Sequence, residues 1–174
     1  MKPKGLIPIS YEVALKREPP LWGGSLYNKI LVPLDKSSEA EDVLPMAQEL
    51  LNPEGEGILL HVIPRCKSRE SNNDPGSIQS RKQVRRNKTM GYLLCARSYL
   101  VETMGRWRCE VVVADSVAEG IASFAMREGV DIVAMYTHDR KGIAKLIRKS
   151  IAEKVQKSGP VEVRVLRPRE LVSR

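Results

Sequence analysis

The stretch from Val130 to Leu166, VDIVAMYTHDRKGIAKLIRKSIAEKVQKSGPVEVRVL, decides how this chain folds. It opens on a strand-like apolar run, VDIVAMY, breaks at Thr137-His138-Asp139, and resumes at helical spacing. At 100° per residue, Ile143, Ala144, Leu146, Ile147, Ile151 and Val155 share one broad arc, and Lys141, Lys145, Arg148 and Lys149 share the opposite one. That segregation is what a solvated amphipathic helix shows; anion or partner binding is the second reading of the four cations. In VEVRVL, Val161, Val163 and Val165 alternate with Glu162 and Arg164, as in a strand near a sheet edge or an interface.

Outward from this unit the same alternation recurs. KILVPL (29–34) reads as a buried strand, followed by Asp35-Lys36-Ser37-Ser38 and a helical segment, EAEDVLPMAQELL. Ser37 or Ser38 is the expected N-cap, Glu39, Glu41 and Asp42 suit the positive end of a helix, and Pro45 falls in its first turns. GILLHVIP (57–64) is a second strand, apolar enough to be covered on both faces. Arg65 to Ser80 has no periodicity and reads as a long loop; a helix is expected over 81–104, with Gly91 its weak point. CEVVVAD is a third strand, and VAEGIASFAMREG a helix stopped by Gly129.

Residues 1–27, broken by Pro3, Pro8, Pro19, Pro20 and Gly23-Gly24, read as a flexible tail, and 28–174 as one domain. The expected fold is α/β: an open, mainly parallel, five-stranded sheet with helices on both faces.

The chain has 174 residues, 42% of them hydrophobic, enough for one core. No apolar run reaches the ~20 residues that span a bilayer, and the N-terminus lacks the pattern of a secretory signal. The expectation is a cytoplasmic protein with no membrane role. Cys66, Cys95 and Cys109 form no C-x-x-C pair, so scattered reduced thiols are expected and no metal, with Cys66 the candidate regulatory thiol. The net charge of +8 is unevenly spread: −5 over residues 28–64, +6 over 65–88 and +7 over 138–174. The run RKQVRRNK (81–88) has five cations and no aromatic nearby until Tyr92. Such a run allows weak, salt-sensitive contact with nucleic acid, and nothing around it supports specific recognition.

With these elements in order, the sequence from about Asn28 to Pro168 resembles the universal stress protein family. KILVPLD with its Ser-rich turn resembles the opening strand, GILLHVIP the second, and VDIVAMYTH, KSIAEKV and VEVRVL the closing third. The resemblance implies a Rossmann-like domain of the adenine-nucleotide alpha-hydrolase kind, usually a homodimer joined partly through its last strand, here residues 161–166. In that case the Val163 N–H would be a donor to the partner. Pro33, Asp35 and Val62 match positions that contact adenosine in nucleotide-binding members. Their plainer roles are a strand-end turn, a turn or helix-start carboxylate and a core valine.

Binding members carry G-x2-G-x9-G-[ST] after the fourth strand. Laid on this chain, the glycines fall on Tyr136, Asp139 and Lys149, and only Ser150 agrees. Glycine loops hold phosphate because bare main-chain N–H groups point inward. Tyr136 is expected to put a phenol in that space, and Asp139 a carboxylate, which at ~4 Å repels a phosphate charge by ~4 kcal/mol at an effective dielectric of ~20. Lys149 is the one replacement that favours phosphate. Ser150, His138 and Asp139 do not have the spacing of a prepared nucleophile. The expected function is a non-catalytic stress-response or interaction domain, homodimeric and not a tight ATP binder. The alternatives are a nucleotide-responsive switch binding ATP or AMP, and a weak electrostatic binder of nucleic acid.

Overall fold

The computed structural model describes residues 27–37, 41–65, 75–100, 105–136 and 143–166. The expected tail through residue 26, Ser38, Cys66, His138, Asp139, Lys141 and the side chains of 143–149 lie outside the described residues. Strands and helices alternate: β1 (Tyr27–Pro33), α1 (Val43–Leu50), β2 (Leu51–Pro64), α2 (Pro75–Arg97), β3 (Arg106–Ala114), α3 (Val117–Glu128), β4 (Ile132–Tyr136), α4 (Ile143–Ser158) and β5 (Glu162–Leu166). Every pairing is parallel and the strand order is β3-β2-β1-β4-β5. The expected open sheet is therefore present, and fully parallel.

The strand residues explain the two layers. Ile30, Leu31 and Val32 of β1 are entirely buried, because successive side chains point to opposite faces and both faces are covered. Ile30 and Val32 join Leu59, Val111 and Ile132 under α1 and α2, with Val43, Leu44, Ala47, Leu93 and Ala96 closing that core. Leu31 joins Ile58, Leu60 and Val133 under α3 and α4, with Ile121, Phe124, Ala125, Ala152 and Val155. Each such large side chain contributes about 1.5–3 kcal/mol on burial. Asp131 locks β4 to β1: its Oδ2 accepts from the N–H groups of Asn28 and Lys29, both at 2.8 Å, and its own N–H donates to the Lys29 carbonyl.

Several boundaries differ from the sequence expectation. Just before α1 the N–H and hydroxyl of Ser37 both donate to Asp35 Oδ1 in a local turn, and residues 38–40, which an N-cap at Ser37 would serve, lie outside the described residues. The N-cap is Asp42, without a side-chain cap bond. β2 starts at Leu51 rather than Gly57. Between the pairs Tyr27–Leu51 and Lys29–Glu56, β1 advances two residues and β2 five, so the surplus bulges out. Gly55 sits in this bulge because a Cβ there would lie 2.8 Å from the Asn28 carbonyl oxygen. α2 begins at Pro75, inside the expected loop, and ends at Arg97 rather than Met104. Gly91 stands within it in open space and does not break it.

α3 matches expectation and shows why it stops. The Ser116 side chain accepts from the Glu119 N–H at its start, and Gly129 takes the left-handed conformation (φ 60°) at its end. β5 is an edge strand, as its alternation implies. The Val163 N–H, expected to serve a partner, instead donates to Gln156 Oε1 at 2.9 Å, while Gln156 Nε2 donates to the Val161 carbonyl at 3.4 Å. The α4 side chain thus satisfies main-chain groups that a bare edge would leave exposed.

At the edge where β1, β2 and β3 begin, Arg108 pairs at 2.6 Å with Glu56, Glu110 and Glu128, and Lys29 reaches Glu56 at 3.2 Å. Burial alone would raise the Glu56 carboxyl, but hydrogen bonds and charge from Arg108 and Lys29 outweigh it and hold the group below the usual carboxylate range. These pairs tie three strands to the end of α3.

Two outcomes follow from this packing. A Cβ at Gly57 would fall 2.3 Å from the Trp107 ring. Gly57→Ala should therefore cost about 1–3 kcal/mol through overpacking, read as a lowered thermal midpoint. His61 Nδ1 donates to the Leu34 carbonyl at 2.7 Å, and burial pushes its pKa below the ordinary value, against the raising effect of that bond. The folded chain therefore resists protonation that the unfolded chain accepts below pH ~6.5. Stability should fall as pH drops from about 6.5 through the folded pKa, and His61→Gln should flatten that fall in denaturant titrations.

Candidate functional site

The strand order reverses at β1: β2 and β3 lie on one side of it, β4 and β5 on the other. In an open α/β sheet the crossovers diverge at such a point and leave a crevice at the carboxyl ends of the strands. A cavity of about 230 Å³ opens there. Pro33, Leu34 and Asp35 come from the end of β1, and Leu60, His61, Val62 and Pro64 from the end of β2. Val117 and Ile121 of α3, Met135 and Tyr136 of β4, and Ile151 of α4 complete it.

Of the residues matched to adenosine contacts, Pro33, Asp35 and Val62 come together on this wall. Ser150 is not among the lining residues; it is half-buried on α4 beside Ile151, which does line the cavity. Asp35 is exposed at the mouth, one carboxylate oxygen engaged by Ser37. His61 is the one histidine among the described residues. Its bond to a carbonyl puts the proton on Nδ1 and leaves Nε2 as the basic nitrogen.

Tyr136 departs from expectation. Its phenol does not fill the cavity: the side chain is buried in the core under α1, and its hydroxyl donates to Asp42 Oδ2 at 3.2 Å. The reason is the two-residue period of β4, which sends Met135 toward α3 and α4 and the next side chain the other way. The side chains of Asp139 and Lys149 lie outside the described residues.

Sequence reasoning missed the walls supplied by Val117, Ile121 and Met135. One signal was available in Gly120, a glycine inside a helix, where it costs stability and needs a packing reason. A Cβ at Gly120 would lie 2.6 Å from Val62 and 2.9 Å from Ala114, so its absence lets α3 close over the end of β2. Among the described residues no group of three or more His, Cys, Asp and Glu side chains is placed to hold a metal. Cys95 and Cys109 are free thiols. No described helix is long and apolar enough to cross a membrane.

Residues 26–167 match the model of the universal stress protein family. Among solved structures, the hypothetical protein MJ0577 is 26% identical, with a TM-score of 0.62 over 83% of this chain and 99% of its own. A universal stress protein family member from Burkholderia pseudomallei is 20% identical, with a TM-score of 0.56 over 82% of this chain and 98% of its own. UspA from Lactobacillus plantarum is 15% identical, with a TM-score of 0.59 over 83% of this chain and all of its own. No curated protein sequence matches. With most of its length accounted for by the family model, and the switch-point fold shared with these structures, the chain belongs to the universal stress protein family.

Proposed function

We propose that this chain is a non-catalytic universal stress protein domain that acts through contacts with other proteins, as a homodimer, and does not hold ATP tightly. The supporting observation is the composition of the switch-point cavity. Among the described residues its walls are almost wholly apolar, and the one charged side chain lining it is the carboxylate of Asp35. At about 230 Å³ it is smaller than the ~300–1,000 Å³ usual for drug-sized ligands. A triphosphate needs cations or bare amides, and a carboxylate at ~4 Å opposes it by ~4 kcal/mol at a dielectric of ~20, more than two factors of ten in affinity. None of the positions aligned by resemblance with the motif glycines is a glycine, and the carboxylate at one of them, Asp139, agrees with that reading.

One observation favours a second reading, a nucleotide-responsive switch that takes AMP or ATP. Because the Tyr136 phenol turns away to Asp42, it does not obstruct the cavity, and Pro33, Asp35 and Val62 remain together on the wall. Calorimetric titration separates the two. The first reading expects no micromolar binding of ATP and, at most, weak binding of adenosine or AMP lost in Asp35→Ala. Micromolar ATP binding that disappears in Ser150→Ala would install the second reading in its place.

Dimerisation is proposed at the β5 edge. Gln156 already engages the Val163 N–H, so the contact would rest on side chains, and Val165, 43% exposed, is the apolar one available. Val165→Asp should convert dimer to monomer in sedimentation velocity with the fold intact. An unchanged dimer mass would move the interface elsewhere.

A further inference from the structure

α2 is an unusual helix in one respect. Its twenty-three residues include six Lys or Arg and no Asp or Glu. Every residue from Gln79 to Lys88 is exposed, nearly three turns with no buried face; among the described side chains of α2 the buried ones, Thr89, Leu93 and Ala96, come after it. A helix polar all round is normally held by opposite charges three or four residues apart. Here those spacings bring like charges together: Arg81 with Arg85, Lys82 with Arg86, Arg85 with Lys88. Among the described residues, none of these cations makes an ion pair, whereas Lys29, Arg65, Arg108, Arg127 and Arg164 all do.

The end of β1 adds a fourth member to one side of this helix. Lys36 adopts a left-handed backbone conformation (φ 68°), rare for a residue with a side chain, and its ammonium donates to Thr89 Oγ1 at 2.7 Å. Thr89 is fully buried and donates in turn to the Arg85 carbonyl, so Lys36 is anchored against the helix. Lys36, Ser80, Arg81, Val84, Arg85 and Lys88 line a groove of about 460 Å³.

We propose that this groove binds the phosphodiester backbone of duplex nucleic acid, independently of base sequence. Charge selects a polyanion, which would supply the counter-charges the helix lacks. Geometry selects an extended one. From Arg81 to Lys88 the helix rises about 10 Å, the length over which a duplex strand presents about three phosphates. Chemistry disfavours an acidic protein surface, because protein interfaces centre on aromatic and apolar residues and this face offers only Val84. Backbone phosphates need no such centre. Without aromatics between the cations, single strands have nothing to stack on. The groove shares no lining residue with the switch-point cavity, so the two sites stand or fall separately.

The test is fluorescence anisotropy of the full chain with a labelled mixed-sequence DNA duplex of about 20 base pairs. Four phosphate contacts predict a salt slope of about −3.6, so affinity should fall roughly a hundredfold between about 50 and about 200 mM salt. Arg81→Gln with Arg85→Gln should weaken binding at low salt by at least about tenfold and reduce the slope by about two, with unchanged circular dichroism. Lys154→Gln with Lys157→Gln, the same charge change on exposed positions of α4, should leave affinity within about twofold, which separates the groove from net charge alone. Absence of binding at low salt, equal losses in the two double variants, or binding to polyglutamate but not to the duplex would overturn the proposal.

Discussion

The structure depends on covering β1 on both faces and both edges at once. Ile30, Leu31 and Val32 have no exposure, so this strand cannot lie at an edge or against a solvated layer. Pairing with β2 on one side and β4 on the other satisfies its main chain, and the two pairs of helices satisfy its side chains. A central first strand also forces the chain to build outward in one direction and then return, and right-handed crossovers put α1 and α2 on one face and α3 and α4 on the other. The crevice at the carboxyl end of β1 is a consequence of that return.

What fills the crevice is decided by small residues and strand parity. Gly120 lets α3 approach the end of β2, so that Val117 and Ile121 give the cavity an apolar wall on that side. Met135 and Tyr136, adjacent in sequence, belong to different cores, so one meets the cavity side while the other anchors the start of α1 through Asp42. A residue aligned with a glycine position thus serves the structure through a hydrogen bond on the opposite face. Its bulk does not oppose a ligand in the way its identity suggests.

Charge is distributed with a similar division. Near the start of the strands, Arg108 and Lys29 are enclosed by carboxylates from β2, β3 and α3, and the pairing holds Glu56 and Glu128 ionised against the cost of burial. Along α2 the cations face solvent without acids, so the same residue types tie elements together in one place and create an unbalanced field in another.

The parallel layered fold was legible in the order of the residues. Continuous apolar runs such as ILV at 30–32 and IVAM at 132–135 require burial on both faces, and Gly129 marks a helix end because its left-handed conformation suits residues without a Cβ. The family resemblance singled out Pro33, Asp35 and Val62, which the fold gathers on one wall. Tertiary structure decided the rest. The β2 start at Leu51 depends on a bulge opposite Asn28, and the fate of the Val163 N–H on Gln156 from the preceding helix. Each is settled by hydrogen-bond partners whose alternatives have similar local energies, and only packing brings one of them within reach.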